Sequence, residues 1–155
     1  MELHHGQEAP GFELKDQPGQ EVALQSLRGE KAVVLVFYPY AFSRVCSGEL
    51  AALHEARAKL VSDDVALLAV SCDPMFALRA FADQMDLDFP LLSDFWPHGA
   101  VAEAYGVFDA ERGCAKRSSF VIDPEGVVRW SVHNAMPDAR HIDDHIRALD
   151  EVLGR

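Results

Sequence analysis

The chain has 155 residues, 49% of them apolar and 25% charged, with a formal net charge of −11. That is enough material for one domain with a packed core, spanning residues 1–155. The acid excess excludes a broad nucleic-acid or anionic-membrane footprint, which would need clustered Lys and Arg, and no apolar run approaches the ~20 residues that span a bilayer.

In chain order, the opening Met1-Glu2-Leu3-His4-His5-Gly6 lacks the basic patch and apolar stretch of a secretory leader, so a cytoplasmic location is expected. His4 and His5 read as solvated. Residues 12–15 and 22–24 read as a short hairpin about Pro18-Gly19. Ala32–Phe37 is a β-branched, apolar run, the pattern of a strand buried on both faces. A helix is expected from Cys46 to about Leu60, with Leu50, Leu53, Ala56 and Leu60 on one face. Val65–Ser71 is a second continuous apolar strand, Met75–Met85 a helix and Ala100–Ala104 a short helix. Residues 116–122 and 127–133 form a hairpin about Asp123-Pro124-Glu125-Gly126, a strong turn sequence. Residues 138–153 read as a terminal helix with an acidic start. His141 and His145 have the one-turn spacing that can chelate a metal, but no cysteine lies near them, so they read as a solvated helix face and no metal is expected.

Three cysteines, Cys46, Cys72 and Cys114, are too few and too odd in number for a disulfide framework. The residue three after Cys46 is Glu49, so there is no Cys-x-x-Cys dithiol. Cys46 nevertheless stands where a buried strand gives way to a helix, in Pro39-Tyr40-Ala41-Phe42-Ser43-Arg44-Val45-Cys46. N–H groups at a helix start are unpaired and the macrodipole there favours negative charge. Such a setting populates the thiolate, the form that attacks electrophiles. Sites in open α/β sheets gather at the carboxyl ends of strands, and Pro39 and Cys72 both follow such ends.

The spacing Pro39-x-x-x-Ser43-x-x-Cys46 resembles the peroxidatic motif of the peroxiredoxins, with serine where that family usually has threonine. The resemblance extends along the chain: Gly6-Gln7-Glu8-Ala9-Pro10-Gly11-Phe12 at the start, Ala69-Val70-Ser71-Cys72-Asp73, Phe89-Pro90-Leu91-Leu92-Ser93-Asp94, Tyr105-Gly106-Val107, and Arg117-Ser118-Ser119-Phe120-Val121-Ile122-Asp123. Phe95-Trp96-Pro97-His98-Gly99-Ala100-Val101 is similar to the one-cysteine, alkyl hydroperoxide reductase E-like branch of actinobacteria. The resemblance implies an α/β, thioredoxin-like fold with peroxiredoxin extensions, its central mixed β-sheet flanked by helices. It implies a thiol peroxidase without metal, haem or flavin.

Site roles follow from the same resemblance. Cys46 is the nucleophile, against the plain alternative of a small buried residue. Arg117, rather than merely ending a strand at the surface, would hold a fixed positive charge beside it. Ser43 would set its hydroxyl against the peroxide, a role compatible with capping the helix; lacking a β-methyl, its χ1 is less restricted than threonine's. Pro39 would shield the thiolate, and the N–H groups of Val45 and Cys46 would bind peroxide. Glu49 either orients Arg117 or is a solvated helix charge. Arg140 resembles the second arginine of many members. Phe42, Phe95 and Trp96 would line the pocket or a homodimer contact.

The position five after Cys46 is Ala51, and the last cysteine before Arg155 is Cys114. The expectation is therefore a one-cysteine cycle. The sulfenic acid would be reduced by thioredoxin, a mycoredoxin-like glutaredoxin or a low-molecular-weight thiol. Resolution by Cys72, read as a buried small residue, or by Cys114, read as lying in a turn and open to oxidation, stays open as an alternative. So do a peroxide-sensing relay that passes oxidation to a partner protein, and a holdase.

Overall fold

The computed structural model describes residues 3–155; Met1 and Glu2, the first residues of the opening segment read above, lie outside them. Among the described residues seven strands form one mixed sheet: β1 (Glu13–Lys15), β2 (Glu21–Ala23), β3 (Ala32–Phe37), β4 (Val65–Ser71), β5 (Leu91–Ser93), β8 (Arg117–Ile122) and β9 (Val128–Asn134). Their order is β2-β1-β5-β4-β3-β8-β9, with β3, β4 and β5 parallel and the remaining neighbours antiparallel. Two further strands, β6 (Phe108–Asp109) and β7 (Cys114–Ala115), pair in a separate hairpin. The helices are α1 (Arg44–Glu55), α2 (Arg57–Leu60), α3 (Met75–Met85), α4 (Ala100–Ala104) and α5 (Ile142–Leu153).

All six residues of β3 are buried, as an apolar run covered on both faces requires. Val34, Val36 and Tyr38 pack in one cluster with Leu50 and Leu53 of α1, Leu78 and Phe81 of α3, and Leu149 of α5. Val33, Leu35 and Phe37 pack on the other side with Tyr105 and Phe120. The alternation follows from the two-residue period of a strand.

Four expectations need correction. The helix expected from Cys46 begins two residues earlier and breaks at Ala56. Beyond the break Leu60 is fully buried while Arg57 reaches Asp88 at 3.1 Å. The last helix starts at Ile142, not at residue 138. The Arg140 N–H is donated to Glu49 Oε2 at 2.7 Å, which holds that stretch across Glu49 and out of the helix. His145 is not solvated: it is 1% exposed, although His141 is exposed. Cys114 lies in β7, not in a turn open to oxidants, and is fully buried. The Asp109 carboxylate takes the N–H groups of Glu111 and Arg112, closing the turn that carries Cys114 back beside Asp109.

Candidate active site

The site forms where β3 ends and α1 begins. Ser43 is the N-cap by its backbone, φ −69° and ψ 151°, yet its hydroxyl donates to the Tyr40 carbonyl at 3.0 Å and caps nothing. The first helical bond across this junction runs from the Ser47 N–H to the Ser43 carbonyl, at 2.8 Å. The N–H groups of Arg44, Val45 and Cys46 precede it, so the positive end of the helix is left facing the thiol. Phe42, just before, has φ +71°, a left-handed conformation that costs a bulky residue roughly 1–3 kcal/mol. Asp73 holds this loop: its Oδ2 accepts the Ala41 N–H at 2.8 Å and the Ser71 hydroxyl at 2.7 Å.

Cys46 is fully buried. Antiparallel pairing of Phe37 with Ser118 brings Arg117, 71 residues further along the chain, to the same end of the sheet. Arg117 Nη1 lies 3.5 Å from Cys46 Sγ and also donates to Glu49 Oε1. Its Nε and Nη2 both donate to the Met136 carbonyl, at 3.0 and 2.7 Å, which fixes the guanidinium plane.

Glu49, one turn along α1 from Cys46, is the hub. Arg140 gives it three bonds: N and Nε to Oε2 at 2.7 and 2.9 Å, and Nη2 to Oε1 at 2.9 Å. The side chains of Arg117, Glu49 and Arg140 are 3, 2 and 1% exposed. Burial by itself would raise the Glu49 carboxyl. The bonds and charge of Arg140, with the charge of Arg117, offset this and hold it below the usual carboxylate range. Two guanidiniums against one carboxylate leave a surplus positive charge in a dry cluster. A thiolate on Cys46 is the group placed to neutralise it.

A cleft opens over the cluster, lined by Pro39, Tyr40, Ser43, Val45, Arg117 and Met136 among others. The structure thus brings together Pro39, Ser43, Val45, Cys46, Glu49 and Arg117, and sets Arg140 behind Glu49. The solvated-charge alternative for Glu49 is overturned by its burial. Phe42, Phe95 and Trp96 line no part of the cleft; they are 47, 46 and 82% exposed, and Phe42 packs on the Phe81 ring. A second hollow, among Ala9, Leu24, Val33 and Ile122, lies at the other end of β3 and has no cysteine in its lining.

No disulfide is present among the described residues. Burial, with nearby Asp94, Cys114 and Asp73, pushes the Cys72 thiol up to about 12. Burial also raises Cys114, against the opposing pull of the Tyr40 hydroxyl. Sequence reasoning assigned no role to Asp73, Met136, Ser119 or His145. For Asp73 a local signal existed, since an aspartate just past a strand end is a ready acceptor for loop N–H groups. Met136 acts through its carbonyl, which no side-chain pattern reveals.

The AhpC/TSA family profile matches residues 5–131. Alkyl hydroperoxide reductase E of Mycobacterium tuberculosis is 47% identical over 129 residues, covering 83% of this chain and 84% of its own. The chloroplastic 2-Cys peroxiredoxin BAS1 of Spinacia oleracea is 32% identical over 93% of this chain and 57% of its own. Among solved structures, AhpC of Enterococcus faecalis superposes with a TM-score of 0.89 at 30% identity, over 99% of this chain and 94% of that one. The reduced 2-Cys peroxiredoxin of Plasmodium vivax also gives 0.89, at 27% identity, over 98% and 83%. With these relatives and this thiol site, the chain belongs to the AhpC/TSA family of peroxiredoxins, thiol-dependent peroxidases.

Proposed function

We propose that this chain is a one-cysteine peroxidase that reduces hydrogen peroxide and organic hydroperoxides through Cys46. The observation that carries the reading is the buried cluster, with Arg117 Nη1 at 3.5 Å from Cys46 Sγ and a surplus positive charge behind it. The thiolate attacks the terminal peroxide oxygen. An S–O bond forms, the O–O bond breaks, and the departing oxygen leaves as water or an alcohol after taking a proton. Sulfur loses two electrons and becomes the sulfenic acid. Arg117 and the N–H groups of Val45 and Cys46 meet the charge that grows on the leaving oxygen. Ser43 presents its oxygen to the cleft as an acceptor, its hydrogen being given to Tyr40. Pro39, with no N–H, keeps one wall free of competing donors.

An external thiol then attacks the sulfenic sulfur and releases water. A second thiol frees Cys46 from the mixed disulfide. The burial and raised thiols of Cys72 and Cys114 support an external resolver, because a thiol held protonated is a poor attacker. The reductant is thioredoxin, a mycoredoxin-like glutaredoxin or a low-molecular-weight thiol. The relative named for alkyl hydroperoxides, with Pro39, Val45 and Met136 in the cleft lining, favours an alkyl substrate. Among the described residues no helix is long and apolar enough to cross a membrane, and we place the protein in the cytoplasm, as one domain and a homodimer. Phe42, Phe95 and Trp96 supply that contact.

Peroxide consumption supplied in turn with each reductant class tests this reading. Sustained turnover with any of the three, through a mixed disulfide at Cys46 alone, is expected. Slow turnover with all of them, but fast oxidation of one protein partner, would favour a relay. An intrachain disulfide would mean self-resolution.

A further inference from the structure

The polar contacts do not end at Arg140. Its Nη1 shares its two hydrogens among three acceptors: the carbonyls of Phe37 and Ser118, at 2.7 and 2.8 Å, and Ser119 Oγ at 3.0 Å. Ser119, fully buried on β8, lies 2.8 Å from His145 Nε2 on α5. His145 Nδ1 lies 3.0 Å from the His141 carbonyl. A carbonyl only accepts, so Nδ1 carries the proton and Nε2 is the bare acceptor. Ser119 accepts from Arg140, so its own hydrogen is free for His145. Arg140 only donates, Ser119 accepts from it and donates onward, and the neutral imidazole with a bare Nε2 is the form that takes that hydrogen.

We propose that His145 is a positioning residue for the peroxidatic cysteine. By accepting the Ser119 hydroxyl it turns the serine lone pair to Arg140, which keeps Glu49, and through it Arg117, in place on Cys46. The inference rests on Cys46 being the peroxide-reactive thiol. It ties α5 to the reacting sulfur through Ser119, Arg140, Glu49 and Arg117 in succession. Around His145 stand Arg140, Glu49 of α1, Asp144 on its own helix and the Trp130 ring of β9, at 5.2 Å between centroids. Burial drives its imidazole down to about 4, in keeping with the neutral form. An ordinary packing role would accept any apolar side chain of similar size. The relay needs an acceptor at the Nε2 position.

The test uses His145→Leu, His145→Gln and Ser119→Ala in the full chain. Alkylation of Cys46 by iodoacetamide is followed by peptide mass spectrometry from pH 4 to 9, beside urea unfolding of each variant. Glutamine can return an acceptor where Nε2 stood. The relay predicts that His145→Leu and Ser119→Ala slow alkylation at pH 7 about three- to tenfold, the size expected for one buried hydrogen bond. It predicts that His145→Gln restores the wild-type profile. Wild-type profiles in folded His145→Leu and Ser119→Ala would overturn the relay, as would a glutamine variant as slow as the leucine one. Should His145→Leu fail to fold, Ser119→Ala alone decides. A wild-type Cys46 no more reactive than a free model thiol would instead overturn the peroxidase reading beneath it.

Discussion

Replacing Arg117 with methionine separates the charge from the packing of this site. At 3.5 Å, a full charge acting on a thiolate through an effective dielectric constant of ~20 is worth about 5 kcal/mol before opposing terms. Glu49 opposes it, since it shares the same Nη1. Losing a net ~1.5–3 kcal/mol, that of a hydrogen bond to a charged group, slows attack by the sulfur about 10- to 100-fold. Losing a donor aimed at the departing oxygen costs about another hundredfold. Single-turnover sulfenic acid formation should therefore slow about a thousandfold or more at pH 7. The fold should survive, because Glu49 keeps its three bonds to Arg140. The Met136 carbonyl loses both its donors, at a cost of ~1–3 kcal/mol. The assay is rapid-quench trapping of the sulfenic acid, with urea unfolding as the control. A folded variant reacting within about threefold of the wild type would refute the electrostatic role assigned to Arg117.

Glu49→Gln should destabilise the fold by ~3–5 kcal/mol in urea, because two buried guanidiniums lose their counter-charge. The folded Glu49 carboxyl lies below its ordinary 4.5, so its stabilisation is full above about that pH and is lost as pH falls through the folded value. The glutamine variant should lack this part of the acid sensitivity in urea titrations run at successive pH values. His145 acts in a higher window: between its ordinary 6.5 and about 4, the unfolded chain takes up a proton that the folded one refuses. Stability should fall with pH there by up to ~1.4 kcal/mol per unit, and His145→Gln should flatten that slope. Cys72→Ala and Cys114→Ala should leave thiol-supported turnover within about twofold of wild type in the steady-state assay, since neither thiol takes part in an externally resolved cycle.

The strands and the cysteine motif were legible because their signals are local. The run Ala32–Phe37 and the motif Pro39–Cys46 after it carry their own periodicity and turn chemistry. The charged cluster was not, because Glu49 meets Arg117 across 68 residues and Arg140 across 91. Resemblance named the two arginines; only the folded register shows that one carboxylate binds both. His145 was misread although a signal was there. It falls on the stripe Ile142, His145, Ala148 and Leu149, one buried helix face, and the metal-like spacing to His141 drew attention away from it. Cys114 was misplaced because β6 and β7 are two residues each, too short to show a period. The start of α5 was misjudged because a tertiary bond from the Arg140 N–H outweighed the acidic residues that usually open a helix.

The measurement that tests the central claim most directly is intact-mass and peptide analysis after one equivalent of hydroperoxide, with a sulfenic-acid trap present. A single trapped adduct on Cys46, without any disulfide, is the predicted result. An unmodified Cys46 would contradict the account, as would a disulfide joining it to Cys72 or Cys114.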